Sequence, residues 1–156
     1  MELQKIHSFT IDHSVHGPDF YLSGEKNGIF TYDLRFKWPN KGDYLDVAAM
    51  HTIEHLFATY ARNSAYGQGI VYVGPMGCRT GFYLLTRDAL SRGQVLDAVR
   101  AALHFLAGYT GAVPGAASSA ECGNWLDHDL PAARELARDM ETVLQEWTPE
   151  KMDYDA

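Results

Sequence analysis

Hydrophobic and polar residues alternate most regularly between residues 29 and 37. The apolar members of the alternation are Phe30, Tyr32, Leu34 and Phe36. The side chains between them are Thr31, Asp33, Arg35 and Lys37. Because successive side chains of a strand point to opposite faces, this pattern predicts a strand with one core face and one polar face. Without further context, Arg35 is expected to be a solvated residue on the polar face of this strand.

Shorter patterns predict the rest of a sheet. Residues 8–13 alternate weakly and suggest a short strand. Residues 20–22 lie between two turn-rich stretches, at 16–19 and 23–28, and a hairpin is the simplest interpretation. The apolar runs 70–73 and 82–85 each have the length of a strand.

Helical spacing of apolar residues occurs in three segments. The first contains His51–Arg62 and can be capped by Asp43 or Asp46. The others are residues 91–107 and 130–147, and the tail after about residue 149 is charged and expected to be loose. We therefore predict one α+β domain over residues 1–156, a two-layer sandwich of an antiparallel sheet and three to four helices.

Composition narrows the classes of function. The chain has 156 residues and a formal net charge of -7, without basic clusters, which argues against nucleic acid or an anionic membrane as partner. It has no apolar run of about 18 residues and no signal-like N-terminus. We expect a cytoplasmic protein that acts on a small molecule.

The segment His51-Thr-Ile-Glu-His55 carries the clearest chemical signal. Two histidines four residues apart on a helix project from the same side and can hold one metal ion. Glu54 borders that side, while apolar residues at helical spacing occupy the opposite one. The alternative is that both histidines lie on a solvated polar face and bind no metal. A third ligand is needed to favour a metal site over this alternative.

The two cysteines of the chain are candidates for that ligand. Cys78 lies in a turn with three glycines and a proline, where a thiol would be accessible, and Cys122 follows a run of small residues. A disulfide between them is disfavoured in a cytoplasmic protein. From the residues alone, either thiol could bind the metal and leave the other free as an acid or base.

Three separated blocks resemble the S-ribosylhomocysteine lyase family, the LuxS family. They are His51–His55, the stretch Gly74-Pro-Met-Gly-Cys-Arg-Thr-Gly-Phe-Tyr-Leu84, and Glu121-Cys-Gly-Asn-Trp-Leu-Asp127. Residues 8–13 and 33–36 also match, so the resemblance spans about residues 8 to 147. The stretch from about 14 to 28 departs from familiar members, which concerns the rim of the pocket.

The resemblance implies a role for each candidate residue. Cys122 would complete the metal site with His51 and His55. Cys78 and Glu54 would be the general acid and base. The implied substrate contacts are Ser8, His13 and Arg35, with Arg35 near the Cys78 thiol and with Ser8 and His13 reaching substrate in the partner subunit of a homodimer.

The resemblance also implies a reaction. S-ribosylhomocysteine would be cleaved to homocysteine and 4,5-dihydroxy-2,3-pentanedione, the precursor of the quorum-sensing signal autoinducer-2, by carbonyl migration and β-elimination in the activated methyl cycle. The cofactor would be one Fe²⁺ per chain, replaceable by Zn²⁺ or Co²⁺.

Two other classes fit part of the pattern. The motif H-x-x-E-H also occurs in inverted zinc peptidases, where the glutamate activates water, so a small inverzincin-type metallopeptidase is the second enzymatic hypothesis. A metal-stapled binding module with a closed four-ligand site is the non-enzymatic one.

Overall fold

A four-stranded antiparallel sheet forms one layer of the protein. The computed structural model describes residues 1–155. The strands are β1 (Asp19–Lys26), β2 (Ile29–Arg35), β3 (Ile70–Pro75) and β4 (Gly81–Arg87), in the order β1-β2-β4-β3. Strand β2 pairs with β1 on one side and with β4 on the other. The β2 strand is therefore central and carries its side chains to both faces of the sheet.

Three helices form the second layer. They are α1 (Val47–Asn63), α2 (Arg92–Gly108) and α3 (Leu130–Leu144). Asp46 caps α1 by accepting from two backbone amides, and Ser91 forms a capping box with Gln94 at the start of α2. Helix α1 packs against β3, and α3 packs against β1. The α+β fold is confirmed, with three helices.

The core lies between the helices and one face of the sheet. The sheet contributes Phe20, Tyr32, Leu34, Val73, Phe82 and Leu84, and all are buried. Helix α1 adds Ile53, Leu56 and Phe57, which recur at helical spacing as predicted. No helix of the described residues is both long and apolar enough to cross a membrane.

Several local predictions need correction. Residues 8–13 form no strand; a 3₁₀ helix covers His7–Phe9, and turns follow it. The predicted hairpin is present, but β1 continues to Lys26 through an irregularity near Gly24, and only Asn27 and Gly28 form the turn. Both turn residues have positive φ, 55° and 76°, as a two-residue hairpin requires.

The C-terminal segment is also more ordered than its charge suggested. Helix α3 ends at Leu144, and Arg100 of α2 donates to the carbonyl of that residue. A 3₁₀ helix then covers Pro149–Met152, with Met152 fully buried. The expectation of a loose tail was wrong because one apolar side chain in this segment reaches the core.

The packing of α3 generates a test of the fold. Met140 is 1% exposed, so Met140→Ala should lower the free energy of unfolding by about 2–5 kcal/mol through lost burial and a residual cavity. Asp139→Ala, on the exposed side of the same turn, should change it by less than about 0.5 kcal/mol. Urea titration of both variants measures the difference, and equal losses would contradict this packing.

Candidate metal and proton-transfer sites

Two histidines of α1 are oriented by carbonyl groups outside the helix. His51 Nδ1 lies 2.8 Å from the Asp127 carbonyl oxygen, and His55 Nδ1 lies 2.6 Å from that of Pro114. Because a carbonyl oxygen only accepts, each Nδ1 carries the proton and each Nε2 keeps its lone pair. This is the arrangement in which metal-binding histidines are usually held.

The loop that receives His55 passes very close to its ring. Gly115 has φ of +72°, and a Cβ there would lie 3.0 Å from His55 Nδ1. A side chain at this position would be strained in its backbone and would crowd the imidazole. The glycine thus lets the loop between α2 and α3 close over α1.

Cys122 and His128 bring two further donors from the same loop. Cys122 Sγ lies 3.4 Å from His51 Nε2, and the His128 ring stacks on that of His51 with centroids 4.1 Å apart. One ligand atom from each of the four residues lies within 4.8 Å of all the others. The cluster therefore consists of His51, His55, Cys122 and His128.

Thr52 determines which nitrogen His128 presents. The Thr52 hydroxyl donates to the Ala48 carbonyl at 2.9 Å and accepts from the Asp129 amide at 2.9 Å. With its one proton used, it can only accept from His128 Nδ1, 3.1 Å away. His128 Nε2 is then an unprotonated nitrogen, buried and without a hydrogen-bond partner among the described residues.

The donor set suits a divalent transition metal. Burial and the neighbouring His51 and His55 lower the pKa of His128, which favours its neutral form. Neutral imidazoles with one thiolate are typical ligands of zinc and related ions, and catalytic sites commonly use three protein ligands. The residues present fit a metal, and Glu54 lies half-buried on the same helix.

Cys78 lies outside this cluster, in the loop between β3 and β4. Its thiol is exposed, as the glycine-rich turn predicted. The loop is closed by the Met76 amide donating to the Gly81 carbonyl, 2.8 Å. Arg79 adopts a left-handed φ of 59° there, which is uncommon for a residue with a side chain, and its carbonyl accepts from the Leu45 amide.

A charged group lies beneath the Cys78 loop. Arg35 is 2% exposed, so the prediction of a solvated strand residue was wrong at this position. Its Nη1 donates to Thr80 Oγ1 at 2.8 Å, and Thr80 Oγ1 lies 3.1 Å from Cys78 Sγ. Arg35 therefore reaches the thiol through Thr80, a residue that the sequence analysis did not single out.

A cavity of about 340 Å³ joins the remaining candidates. It is lined by Ser8, Phe9, His13, Arg35, Pro39, Asn40, Tyr44, Gly77, Cys78, Thr80 and Tyr83. His13 is tethered there by Nδ1, 2.8 Å from the Ile11 carbonyl. No residue of the metal cluster lines this cavity, so within one chain the candidate residues form two separate groups.

Sequence reasoning missed two of the residues that complete these groups. His128 stands six residues after Cys122, and that short spacing within one loop was an available signal. Thr80 gave no such signal, because a threonine two residues after a cysteine is ordinary. Its contact with Arg35 depends on the pairing of β2 with β4.

Three histidines and a cysteine that can hold a metal ion, with the half-buried carboxylate of Glu54 on the same helix as two of them, are compatible with a metal-dependent enzyme. The chain belongs to the LuxS family: the profile described as S-ribosylhomocysteinase (LuxS) matches residues 6–151. Nothing in this match supports the metallopeptidase or binding-module hypotheses.

Curated relatives cover nearly the whole chain. An S-ribosylhomocysteine lyase of Clostridium acetobutylicum is 39% identical over 97% of this chain and 99% of its own length. The one from Phocaeicola vulgatus is 42% identical over 97% and 98%. That of Deinococcus radiodurans is 44% identical over 89% of each chain.

The geometry of the cluster generates a test of metal binding. Cys122→Ala should lose most of the bound metal, because it removes the only thiol of the cluster. Cys78→Ala should retain one metal per chain, since Cys78 lies in another cavity. Metal analysis of the purified variants distinguishes them.

His128→Asn is a further comparison. The asparagine amide can replace the imidazole Nδ1–H as hydrogen-bond donor to Thr52, but the variant lacks the Nε2 atom that could bind a metal. It should still hold one metal per chain, because His51, His55 and the anionic Cys122 thiolate remain, whereas Cys122→Ala leaves only neutral imidazoles. Metal retained by Cys122→Ala and lost from Cys78→Ala would reverse the assignment of the two cysteines.

Proposed function

We propose that this protein is an S-ribosylhomocysteine lyase that produces homocysteine and 4,5-dihydroxy-2,3-pentanedione, the precursor of autoinducer-2. The single observation that carries the proposal is the combination of the His51, His55 and Cys122 donor set with a second, free thiol at a cavity. Membership of the family, and relatives bearing this name across the chain, support it.

We propose that His51, His55 and Cys122 hold the metal, with His128 beside them. Three ligands leave a position free for substrate, which the reaction needs. The metal is Fe²⁺, with Zn²⁺ or Co²⁺ able to replace it, and mixed imidazole and thiolate donors are compatible with all three. When bound, it supplies Lewis acidity that lowers the cost of removing protons beside the substrate carbonyl.

Glu54 and Cys78 move the protons. The carbonyl must pass from C1 to C3 of the sugar, so one proton moves from C2 to C1 and a second from C3 to C2. Removal of the C4 proton then breaks the C5–S bond, and homocysteine departs as a thiolate that takes up a proton. The remaining enol becomes the diketone by proton transfer to C5, so atoms and electrons balance without an external oxidant.

Ser8, His13 and Arg35 bind the substrate. Ser8 and His13 line the same cavity as Cys78, where their hydroxyl and imidazole groups can bond sugar hydroxyls. Arg35 is buried beneath Thr80 and places a positive charge at the base of the cavity. These are the substrate-binding roles that the resemblance to the family implies, and all three residues line one cavity.

We propose that the active site is completed in a homodimer. Arg35 lies on the face of the sheet opposite the core side chains Tyr32 and Leu34, because side chains alternate along β2. His51 and His55 belong to the helical layer on the core side. The two groups thus lie on different faces of the sheet within one chain, and a two-fold dimer can join the metal group of one chain to the Cys78 cavity of its partner.

Exposed aromatic residues support this assembly. Phe9, Tyr44 and Tyr83 line the Cys78 cavity and remain 69%, 37% and 36% exposed in one chain. Large exposed apolar groups beside a cavity are typical of a surface that another molecule covers. The partner chain would cover them and exclude water from the reacting atoms.

We also propose a cytoplasmic location. The two cysteines are free, and the proposed chemistry needs both as thiols. Such thiols persist in a reducing compartment.

The direct test is incubation of the metal-loaded protein with S-ribosylhomocysteine, followed by detection of free homocysteine with a thiol reagent. We expect turnover by the wild type and a loss of at least about 100-fold in kcat for Glu54→Gln, which removes a proton-transfer group. The metal content of that variant should be unchanged. Absence of homocysteine from the metal-loaded wild type would contradict the proposed function.

Subunit complementation tests the shared site. Cys78→Ala and Glu54→Gln should each be nearly inactive as homodimers. After equal amounts re-associate at random, half of the dimers are mixed and one of their two sites is intact, so activity should recover to about a quarter of wild type.

The control mixes Cys78→Ala with His13→Ala. Both changes fall in the same cavity, so each site of a mixed dimer carries one defect and no recovery is expected. If the first mixture stays inactive after verified subunit exchange, Cys78 and Glu54 act within one chain.

A further inference from the structure

A buried ion pair lies beneath the Cys78 cavity on the outer face of the sheet. Asp33 and Arg35 are 4% and 2% exposed, and Asp33 Oδ2 lies 3.8 Å from Arg35 Nη2. Asp33 Oδ1 and Arg35 Nε have no partner among the described residues. Burying two charges is costly unless their geometry is fixed, and here few bonds fix it.

The C-terminal segment supplies one of those bonds. The Tyr154 hydroxyl donates to Asp33 Oδ2. The Tyr154 ring stacks on Tyr21 with centroids 4.4 Å apart and planes 12° apart, and it meets His16 edge-on. Burial and the charge of Asp33 raise the pKa of Tyr154, so its hydroxyl remains protonated and able to donate.

The segment that carries Tyr154 is itself anchored. Met152 is fully buried, and Asp153 pairs with Leu22 as an isolated bridge beside β1. Asp153 also accepts from Arg92 at 2.9 Å. These contacts hold Tyr154 across the outer face of the sheet, 121 residues along the chain from Asp33.

From Asp33 the contacts continue to the thiol. Arg35 donates to Thr80 Oγ1, and a guanidinium never accepts, so Thr80 must be the acceptor. The one proton of Thr80 is then available to Cys78 Sγ at 3.1 Å, since the other acceptor near it, Met76 Sδ, is 3.9 Å away. An O–H group donated to sulfur stabilises the thiolate more than the thiol.

We propose that Tyr154 is a positioning residue for Cys78, acting through Asp33, Arg35 and Thr80. Its hydroxyl holds the Asp33 carboxylate, whose charge attracts Arg35 Nη2 across 3.8 Å. Arg35 in turn donates to Thr80 and so directs the Thr80 proton toward sulfur. The inference rests on the proposed role of Cys78 in proton transfer. It gives the C-terminal segment a function in the chemistry, although Tyr154 does not line the Cys78 cavity.

Tyr154→Phe tests the inference, because it removes the hydroxyl and keeps the ring stack. Tyr21→Phe is the matched control: it removes a hydroxyl from the same stack, where it makes only long contacts of 3.4 and 3.5 Å. Both variants are studied as metal-loaded protein, with metal content and thermal unfolding measured first.

The first readout is the rate at which iodoacetamide modifies Cys78, followed by mass spectrometry of its peptide across a range of pH. Tyr154→Phe should slow modification at neutral pH by about threefold to tenfold, the factor expected for one hydrogen bond, and move the profile to higher pH. Tyr21→Phe should match the wild type. Identical profiles for the two variants would overturn the inference.

The second readout is turnover of S-ribosylhomocysteine, where kcat of Tyr154→Phe should fall by a similar factor with KM changed less than about twofold. Thr80→Val should show the same defect and Thr80→Ser should restore the wild-type value. Adding Tyr154→Phe to Thr80→Val should cause no further loss, because both act on one path. Fully additive losses would contradict that path.

The two readouts separate two failures. If the wild type releases no homocysteine, the proposed function is wrong, and the modification profiles still decide whether Tyr154 positions Cys78. If the wild type is active and the profiles coincide, only the role of Tyr154 is wrong.

Discussion

The alternation of side chains along β2 is the constraint on which the arrangement of the chemistry depends. Tyr32 and Leu34 face the helices and build the core, so Asp33 and Arg35 must face the other way. A shift of register by one residue would exchange the two sets and bury the charges in the core. The core and the buried Asp33–Arg35 pair beneath the Cys78 cavity are therefore fixed by the same strand.

The orientation of the candidate metal ligands depends instead on hydrogen bonds to their imidazole rings. Helix α1 supplies two histidines at a spacing that any helix would provide, but the loop between α2 and α3 determines which nitrogen each ring presents. The Asp127 and Pro114 carbonyls orient His51 and His55, and Thr52 orients His128. These hydrogen bonds orient the Nε2 lone pairs of the three imidazole rings in the absence of a metal. Metal binding would therefore require less ordering of the side chains.

The helices, one strand and the histidine pair could be predicted from the sequence, because each depends on residues that are close together in the chain. The helices and the 29–37 strand follow from apolar periodicity, and the His51–His55 pair follows from helix geometry. The burial of Arg35 could not be predicted, because it depends on β4 and the C-terminal segment closing over the outer face of the sheet. Tyr154 meets Asp33 only through tertiary packing, and no local pattern records such a contact.

In the proposed homodimer, the metal of one chain would face the Cys78 cavity of its partner. Dimers are re-associated from a tagged chain carrying His51→Ala and His55→Ala, which lacks both histidine ligands, and an untagged normal chain loaded with Fe²⁺. Ascorbate and peroxide then generate radicals that cut backbone near the iron. The dimer predicts cuts near Cys78 in the tagged chain; cuts confined to the untagged chain would contradict a shared site.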